Sequence, residues 1–310
     1  MLEKNIVHST YKFVVISFYE FIDLKNLEQL KIYFYDFLRK HSFKGTIIIS
    51  SEGINGSVSC RVEKMPSFEN FLIKCLKKKI KFKVNEHNAH VFLRLKIKIK
   101  KEIIKLGLND IYPKNETGKY VHPEKWDNLI KSGEVITIDT RNHYESEIGT
   151  FKNCLETKTS NFTEFPNWFE KNKEYFKNKK IAMFCTGGIR CEKASSYLIK
   201  KGFEKIYQLD GGIINYLKKT KNKNKEWLGE CFVFDERVSV NENLEKGDYD
   251  QCFACRSAIT QKDKKSKKYK KGVYCPKCID STSLNQKKSF CERNRQMEIA
   301  KKKGIKHLGN

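Results

Sequence analysis

One cysteine, Cys185, stands where the sequence combines a reactive side chain with a loop suited to anions. The apolar run Ile181–Phe184 predicts a short strand that ends at this cysteine. The loop that follows consists of Thr186, Gly187, Gly188, Ile189 and Arg190. A helix is predicted from Cys191 to a stop at Gly202. Backbone N–H groups at such a turn converge on an anion and favour a thiolate, so Cys185 is predicted to be a reactive nucleophile.

A second thiol, Cys191, stands at the start of the predicted helix. It is a candidate resolving thiol, able to attack Cys185 once that residue is oxidised or carries a persulfide. The alternative is a small buried core residue, which is a common role of cysteine. Asp139 and Arg141 end the preceding predicted strand, and we expect them to hold loops at the same edge of the sheet.

Strands alternate with helices from residue 123 to residue 222, which we predict to be the central domain. This alternation predicts a parallel sheet that helices cover on both faces. In such sheets, functional groups lie at the carboxyl ends of the strands, where Cys185 is placed. Residues 106–122, ahead of this domain, are rich in turn formers and are predicted to be a linker.

The first 105 residues predict a smaller α/β domain. Apolar periodicity and turn signals give the order βαββαβ, which is that of a ferredoxin-like domain. Four cations alternate with apolar residues in its last predicted strand: Arg94, Lys96, Lys98 and Lys100. The two-residue period of a strand puts these cations on one face, where they are able to follow the phosphates of an RNA.

The net charge of +25 is compatible with a polyanionic partner. Lysine supplies most of this charge, and a base composition that favours lysine codons explains part of the excess. A solvated outer face enriched in lysine is therefore the alternative to an RNA contact along the basic strand. Only the arrangement of the charge argues for RNA.

The eleven cysteines form no obvious disulfide framework, because no secretory signal is present and their number is odd. Four of them form two Cys-x-x-Cys pairs in the basic C-terminal region 223–310: Cys252, Cys255, Cys275 and Cys278. The span between the pairs is typical of four-cysteine zinc sites. Four thiolates suit a tetrahedral Zn²⁺, so a structural zinc is predicted, the alternative being pairs that have lost their metal.

Several other classes of protein find no support in the sequence. No apolar run approaches the roughly 18 residues of a membrane span, and the N-terminus has no signal-peptide core, so a cytoplasmic location is expected. The seven histidines form no metal-binding motif, and no phosphate-binding loop of an ATPase occurs. No flavin, haem or nucleotide signature is present either.

At Cys185–Arg190 the sequence resembles the rhodanese superfamily. Its Cys-x4-Arg loop is one residue shorter than the Cys-x5-Arg loop of the phosphatase relatives, which favours sulfur or other thiol chemistry over phosphate-ester hydrolysis. Segments on both sides of this loop resemble one particular family within that superfamily. The segments GTIIISSEGINGSVS, IDTRNHYESEIGTFKN, MFCTGGIRCEKASSYL and LDGGIINYL, followed by the paired Cys-x-x-Cys tail, are similar to the rhodanese-containing tRNA uridine hydroxylase family.

The resemblance implies a ferredoxin-like domain, a rhodanese-type parallel α/β domain and a small cysteine-rich C-terminal segment. It also implies an oxidoreductase that hydroxylates C5 of the wobble uridine in the anticodon loop of tRNA, with molecular oxygen as co-substrate and Cys185 as the essential cysteine. The alternative is a sulfurtransferase in which Cys185 carries a persulfide. The basic first domain and the cysteine-rich tail favour tRNA, whereas the reactive loop disfavours a non-catalytic RNA-binding module. The oligomeric state stays open.

Overall fold

The computed structural model describes residues 12–220 and 226–304. They divide into two compact units, the first ending at Ile103 and the second beginning at Ile104. The parallel sheet and the cysteine-rich region belong to the same second unit. The predicted boundary between residues 222 and 223 lies outside the described residues.

The first unit is a five-stranded sheet with two helices. Its strands are β1 (Phe13–Phe21), β2 (Lys44–Ser50), β3 (Gly53–Arg61), β4 (Lys83–His87) and β5 (Leu95–Ile99), and its helices are α1 (Leu27–Lys40) and α2 (Met65–Leu76). The strand order is β4-β1-β3-β2-β5, in which only β5 runs parallel to its neighbour. The predicted ferredoxin-like arrangement is confirmed, and β5 extends it by one strand at the edge next to β2.

Helical periodicity explains how the two helices of this unit pack. Phe34 and Leu38 of α1 and Phe68 of α2 are fully buried, since apolar residues spaced three or four apart share one face of a helix. Between the helices, the rings of Phe37 and Phe71 stack with centroids 4.1 Å apart. Aromatic pairs of this kind add stabilisation beyond their buried area.

The second unit is built on a parallel sheet, as the alternation of strands and helices predicts. Its first strands are β6 (Lys119–Val121), β7 (Val135–Asp139), β8 (Gly149–Phe151), β9 (Leu155–Glu156), β10 (Lys180–Phe184) and β11 (Ile206–Leu209). Its helices are α3 (Pro123–Lys131), α4 (His143–Ser146), α5 (Phe165–Phe176), α6 (Ile189–Lys200) and α7 (Gly212–Thr220). The sheet order is β6-β11-β10-β7-β9, with every pair parallel.

Strand β10 lies at the centre of this sheet and is buried on both faces. Ile181 and Met183 contribute to one hydrophobic core, whereas Ala182 and Phe184 contribute to the other. Burial on both faces explains why the strand is an unbroken apolar run in the sequence. The strand is therefore a rigid base for the residue that follows it, Cys185.

The prediction that residues 106–122 form only a linker is wrong at its end, because β6 lies within this range and pairs with β11. Two of the three residues of β6, Lys119 and Tyr120, are exposed. A strand this short and this exposed has no apolar alternation that a sequence pattern reveals. Its strand conformation follows from its pairing with β11.

The C-terminal part of the second unit consists of short elements. They are β12 (Trp227–Gly229), β13 (Cys231–Phe232), β14 (Ser239–Val240), β15 (Asp250–Gln251), β16 (Ala258–Ile259), α8 (Gln261–Lys265) and α9 (Leu284–Lys302). Strand β12 pairs with β8, and Ala258 packs in one apolar cluster with Ile148 and Phe232. The cysteine-rich region is thus held against the segment that follows α4. None of the described helices has the length and apolarity needed to cross a membrane.

Candidate active site

The reactive loop joins β10 to α6, and its backbone is held by the start of α7. The N–H of Ile213 donates to the carbonyl of Cys185 at 3.0 Å, and the N–H of Ile214 donates to that of Thr186 at 3.2 Å. Gly212 permits this close approach. Its φ is 69°, and a Cβ there would lie 2.5 Å from the Cys185 carbonyl oxygen. The loop is therefore fixed between two helix N-termini.

Helix α6 begins at Ile189, earlier than the predicted start at Cys191. The early start places Arg190 and Cys191 in the first turn, where backbone N–H groups have no partner within the helix. The N–H of Gly188 donates to Cys185 Sγ at 3.0 Å, and the N–H groups of the first turn also face the sulfur. The loop thus forms an anion-binding turn around a side chain that is only 1% exposed.

The electrostatics of the loop favour a thiolate at Cys185. Burial alone would raise the pKa of this thiol. The hydrogen bond from Cys191, the positive charge of Arg190 and the backbone N–H groups outweigh burial and lower the pKa well below that of an ordinary cysteine. Burial raises the pKa of Cys191, and its hydrogen bond to the Cys185 sulfur raises it further. Cys185 is therefore the residue of the pair that carries the negative charge.

Arg190 is held by a buried carboxylate that the sequence did not reveal, Glu145. The two side chains form a bidentate pair, with Nη1–Oε1 at 2.6 Å and Nη2–Oε2 at 2.7 Å, and Glu145 is fully buried. Burial opposes the charge of Arg190, but Glu145 raises its pKa, so the guanidinium stays protonated. Arg190 therefore tunes the thiol and fixes the loop, and its fork does not point at a free anion.

The sequence carries one signal for Glu145. Asn142 and Glu145 form a capping box at α4, which a four-residue Asn-x-x-Glu pattern indicates. That pattern predicts a helix start and nothing about the cysteine. Only the fold brings α4 to the loop, where Thr186 Oγ1 also donates to Glu145 Oε2 at 3.3 Å.

A second buried ion pair, Asp139–Arg141, supports the segment that carries Glu145. Arg141 Nη2 lies 2.6 Å from Asp139 Oδ2, and both side chains are fully buried. Arg141 also donates to the carbonyls of Glu145 and Gly149, at 3.2 and 2.6 Å. The pair therefore holds loops at the carboxyl edge of the sheet, as expected from its position at the end of β7.

Cys191 lies beside Cys185 and is fully buried. Its sulfur is 3.6 Å from Thr140 Oγ1, and its thiol donates to the Cys185 sulfur. The geometry brings the candidate resolving thiol to the nucleophile. Its part in the chemistry stays a prediction.

The four cysteines of the two Cys-x-x-Cys pairs form one cluster that could hold a metal ion. All four sulfurs lie within 4.8 Å of one another. The measured separations are 4.0 Å for Cys252–Cys278, 3.8 Å for Cys255–Cys275 and 3.7 Å for Cys275–Cys278. Four thiolates arranged tetrahedrally at the usual Zn–S distance of about 2.3 Å would be roughly 3.8 Å apart. The spacing fits a four-cysteine zinc site.

The basic strand of the first unit is shorter than predicted: Lys96 and Lys98 lie in β5, whereas Arg94 and Lys100 flank its two ends. Arg94, Lys98 and Lys100 are exposed and Lys96 is half-buried. The apolar residues between them, Leu95 and Ile97, pack against the core of this unit. Contact of these cations with RNA stays a prediction.

We expect Glu145→Gln to destabilise the second unit by about 3 kcal/mol, because removing one partner of a buried pair leaves a buried charge without its counter-charge. All three tryptophans, Trp126, Trp168 and Trp227, lie in this unit, so their fluorescence during urea unfolding measures its stability. The matched control is Glu147→Gln. Glu147 pairs with Lys277 at 2.7 Å at the surface, and its loss should cost under about 1 kcal/mol. Equal effects of the two substitutions would contradict a structural role of the Glu145–Arg190 pair.

Comparison with known families finds two matches, one to the first unit and one to the parallel-sheet part of the second unit. Residues 13–103 match the UPF0176 acylphosphatase like domain, and residues 122–219 match the rhodanese-like domain. The protein is thus a rhodanese-domain protein, with a cysteine placed for catalytic chemistry. The succession of these two domains is the architecture of the UPF0176 family, and the chain is consistent with that family. This agrees with the family resemblance drawn from the motifs.

Three solved structures similar to this chain differ in how much of it they cover. A rhodanese-related protein from Thermoplasma volcanium is 22% identical and covers 34% of this chain and 95% of its own length, with a TM-score of 0.28. The rhodanese-like domain of an Anabaena sp. protein is 14% identical over 36% and 80%, with a TM-score of 0.30. Reduced CoADR-RHD from Bacillus anthracis is 16% identical over 53% and 28%, with a TM-score of 0.32. Similarity this low carries no information on activity.

Proposed function

We propose that the protein is a tRNA-modifying enzyme that hydroxylates C5 of the wobble uridine in an oxygen-dependent reaction. The observation that carries the proposal is the Cys185 thiolate, buried and bonded to the Gly188 N–H at the start of α6. Its support is the UPF0176 architecture together with the motif resemblance to tRNA uridine hydroxylases. Action on tRNA would place the protein in the cytoplasm.

The reaction begins with addition of the Cys185 thiolate to C6 of the uracil. The electron pair of the C5–C6 double bond moves onto C5 and O4 as an enolate, and C5 then bonds to dioxygen to give a peroxide. Two thiols of a low-molecular-weight reductant reduce this peroxide to the C5 hydroxyl, releasing water and forming one disulfide. Loss of the C5 proton and of the Cys185 thiolate restores the double bond. Uridine, dioxygen and two thiols thus give 5-hydroxyuridine, a disulfide and water.

The residues of the loop suit the first and last steps, in which the sulfur is an anion. The N–H of Gly188 and the charge of Arg190 stabilise the thiolate both as nucleophile and as leaving group. Because Cys185 is only 1% exposed, a base reaches it only after leaving its stack. A wobble base is already single-stranded, so its extrusion costs little.

A sulfurtransferase is the second candidate, and the rhodanese domain is the observation that favours it. In that reaction the Cys185 thiolate attacks a sulfur donor, takes its outer sulfur as a persulfide and expels the remainder of the donor. A thiolate acceptor then removes the outer sulfur and regenerates Cys185. Both candidates need the low-pKa thiol, so the site alone does not separate them.

The modified nucleosides of total tRNA distinguish the two candidates. We expect cells that lack the gene to lose 5-hydroxyuridine and its derivatives, as measured by liquid chromatography and mass spectrometry, and to keep their thiolated nucleosides. The wild-type gene should restore the loss, whereas a Cys185→Ser gene should not. Loss of a thiolated nucleoside with 5-hydroxyuridine unchanged would contradict the hydroxylase and support the sulfurtransferase.

We also propose that the four-cysteine cluster holds Zn²⁺ in a structural role. Three of its sulfurs, those of Cys252, Cys275 and Cys278, are buried, and all four positions are taken by protein ligands, which leaves no coordination position for a substrate. The ion would tie the Lys-rich segment 262–271 to a region with little apolar core of its own.

A further inference from the structure

The first unit contains a groove between helix α1 and the edge strand β5. Its volume is about 470 Å³, and it is lined by one side of α1 and by residues 95–98 of β5. The groove exists because β5 extends the ferredoxin-like sheet beyond β2, so that α1 meets an additional strand. All of its lining residues belong to the first unit.

One wall of the groove is an exposed apolar stripe on α1. Ile32 is 57% exposed and Tyr35 is 43% exposed, and both line the groove. They are three residues apart and so lie on one side of the helix, while Phe34 and Leu38 fill the core on another side. The helix thus presents apolar surface to water in addition to its core face. Apolar surface of this kind, when rimmed by charge, marks binding sites.

The rim of the groove is cationic. Lys96 and Lys98 line it from β5, and Lys31 lines it from α1, where it pairs with Glu28 at 3.2 Å. Asp36 also lines the groove and is its acidic member. The Arg39 guanidinium lies 6.0 Å from the centre of the Tyr35 ring. Cations outnumber acids by about two to one between residues 12 and 103, so a ligand here meets a positive field.

We propose that this groove binds an unpaired nucleotide of the RNA substrate. The base stacks on the Tyr35 ring and contacts Ile32, and its flanking phosphates face Lys96 and Lys98. Single-stranded nucleic acids are held by this combination of an aromatic platform and a cationic rim. The proposal deepens the proposed function and rests on it, because it assumes that the substrate is RNA. Charge complementarity favours RNA over a basic or neutral protein segment, because three lysines line the groove against one carboxylate, that of Asp36.

Binding of fluorescently labelled octauridine to the full-length protein tests the groove by anisotropy. We expect Tyr35→Ala to weaken binding by about tenfold, and Tyr35→Phe to bind nearly as wild type because the stacking ring remains. Tyr33→Ala is the matched control, since Tyr33 is 52% exposed on the same helix but does not line the groove. Lys98→Gln should reduce the slope of log K against log salt by about 0.7.

Equal binding by the Tyr35→Ala, Tyr33→Ala and wild-type proteins would overturn the proposal. It would also fail if Tyr35→Ala abolished a dimer or the capture of a protein partner while octauridine binding stayed unchanged. The proposed function is assessed separately through 5-hydroxyuridine in tRNA. If octauridine binding depends on Tyr35 but deletion of the gene leaves 5-hydroxyuridine intact, the hydroxylase proposal is refuted and the groove proposal stands. If deletion of the gene removes 5-hydroxyuridine but octauridine binding does not depend on Tyr35, the groove proposal is refuted and the hydroxylase proposal stands.

Discussion

The Cys185→Ser protein is expected to form no covalent adduct with tRNA in which uridine is replaced by 5-fluorouridine, whereas the wild type is trapped. Addition of the thiolate at C6 proceeds as it does with uridine. Fluorine at C5 cannot leave as a proton does, so the adduct persists once C5 has been substituted. A serine hydroxyl is not ionised at neutral pH, and the N–H groups that stabilise the thiolate do not bring it into that range. The loss of adduct should exceed about 1,000-fold, measured as the slower band on a denaturing gel.

Two other cysteines provide controls for the trapping experiment. Cys154→Ser removes a half-buried thiol of the same unit and should trap as wild type, because burial raises the pKa of Cys154 to about 11 and leaves it unreactive. Cys191→Ser should also trap, because a serine hydroxyl still offers a donor beside the Cys185 sulfur. Trapping by Cys185→Ser as strong as that of the wild type would refute the addition of this thiol to the base.

Cys275→Ser is expected to reduce the zinc content from one ion per chain to less than about a tenth, as measured by plasma mass spectrometry. Three sulfurs no longer close a tetrahedral site, and structural Zn²⁺ contributes on the order of 10 kcal/mol to the folding of small metal-held regions. The Lys-rich segment 262–271 should then become the first site of tryptic cleavage, because its backbone loses the ion that ties it to the chain.

The control for this variant is Cys291→Ser. Cys291 lies in α9 of the same region and outside the cluster, so its substitution should leave both zinc content and proteolysis unchanged. Acidification should release the ion from the wild type, since thiolates must be deprotonated to bind metal. Wild-type protein that stays free of zinc after purification with reduced thiols and added zinc would contradict the proposal, as would full zinc content in Cys275→Ser.

Local patterns in the sequence were sufficient for several parts of this protein. The unbroken apolar run Ile181–Phe184 predicts a strand buried on both faces, and β10 has that place in the sheet. The succession of periodicities predicts a ferredoxin-like unit and a parallel α/β unit, and both are present. These features are readable because hydrophobic periodicity is a property of consecutive residues. The strand and turn signals around Cys185 are likewise patterns of consecutive residues.

Other parts depend on residues that are far apart in the chain. Strand β6 has too little apolar pattern to be recognised, and the groove beside Tyr35 exists only because β5 adds to the edge of the sheet. The helix after the reactive loop starts at Ile189 because Gly188 adopts a left-handed conformation there, with φ of 95°. A sequence pattern locates such a helix only to within a few residues.

The sequence by itself determined that Cys185 follows a short apolar strand and precedes an anion-binding loop, and that Cys252, Cys255, Cys275 and Cys278 have zinc-ligand spacing. The tertiary structure alone decided that Glu145 holds Arg190, that the Cys191 thiol meets the Cys185 sulfur, and that the four sulfurs converge to separations of about 4 Å. The physical reason is the same in each case. Strand and helix patterns are fixed by neighbours along the chain, whereas buried ion pairs and sulfur clusters are fixed by how whole elements pack, and that packing sets the charge on the nucleophile.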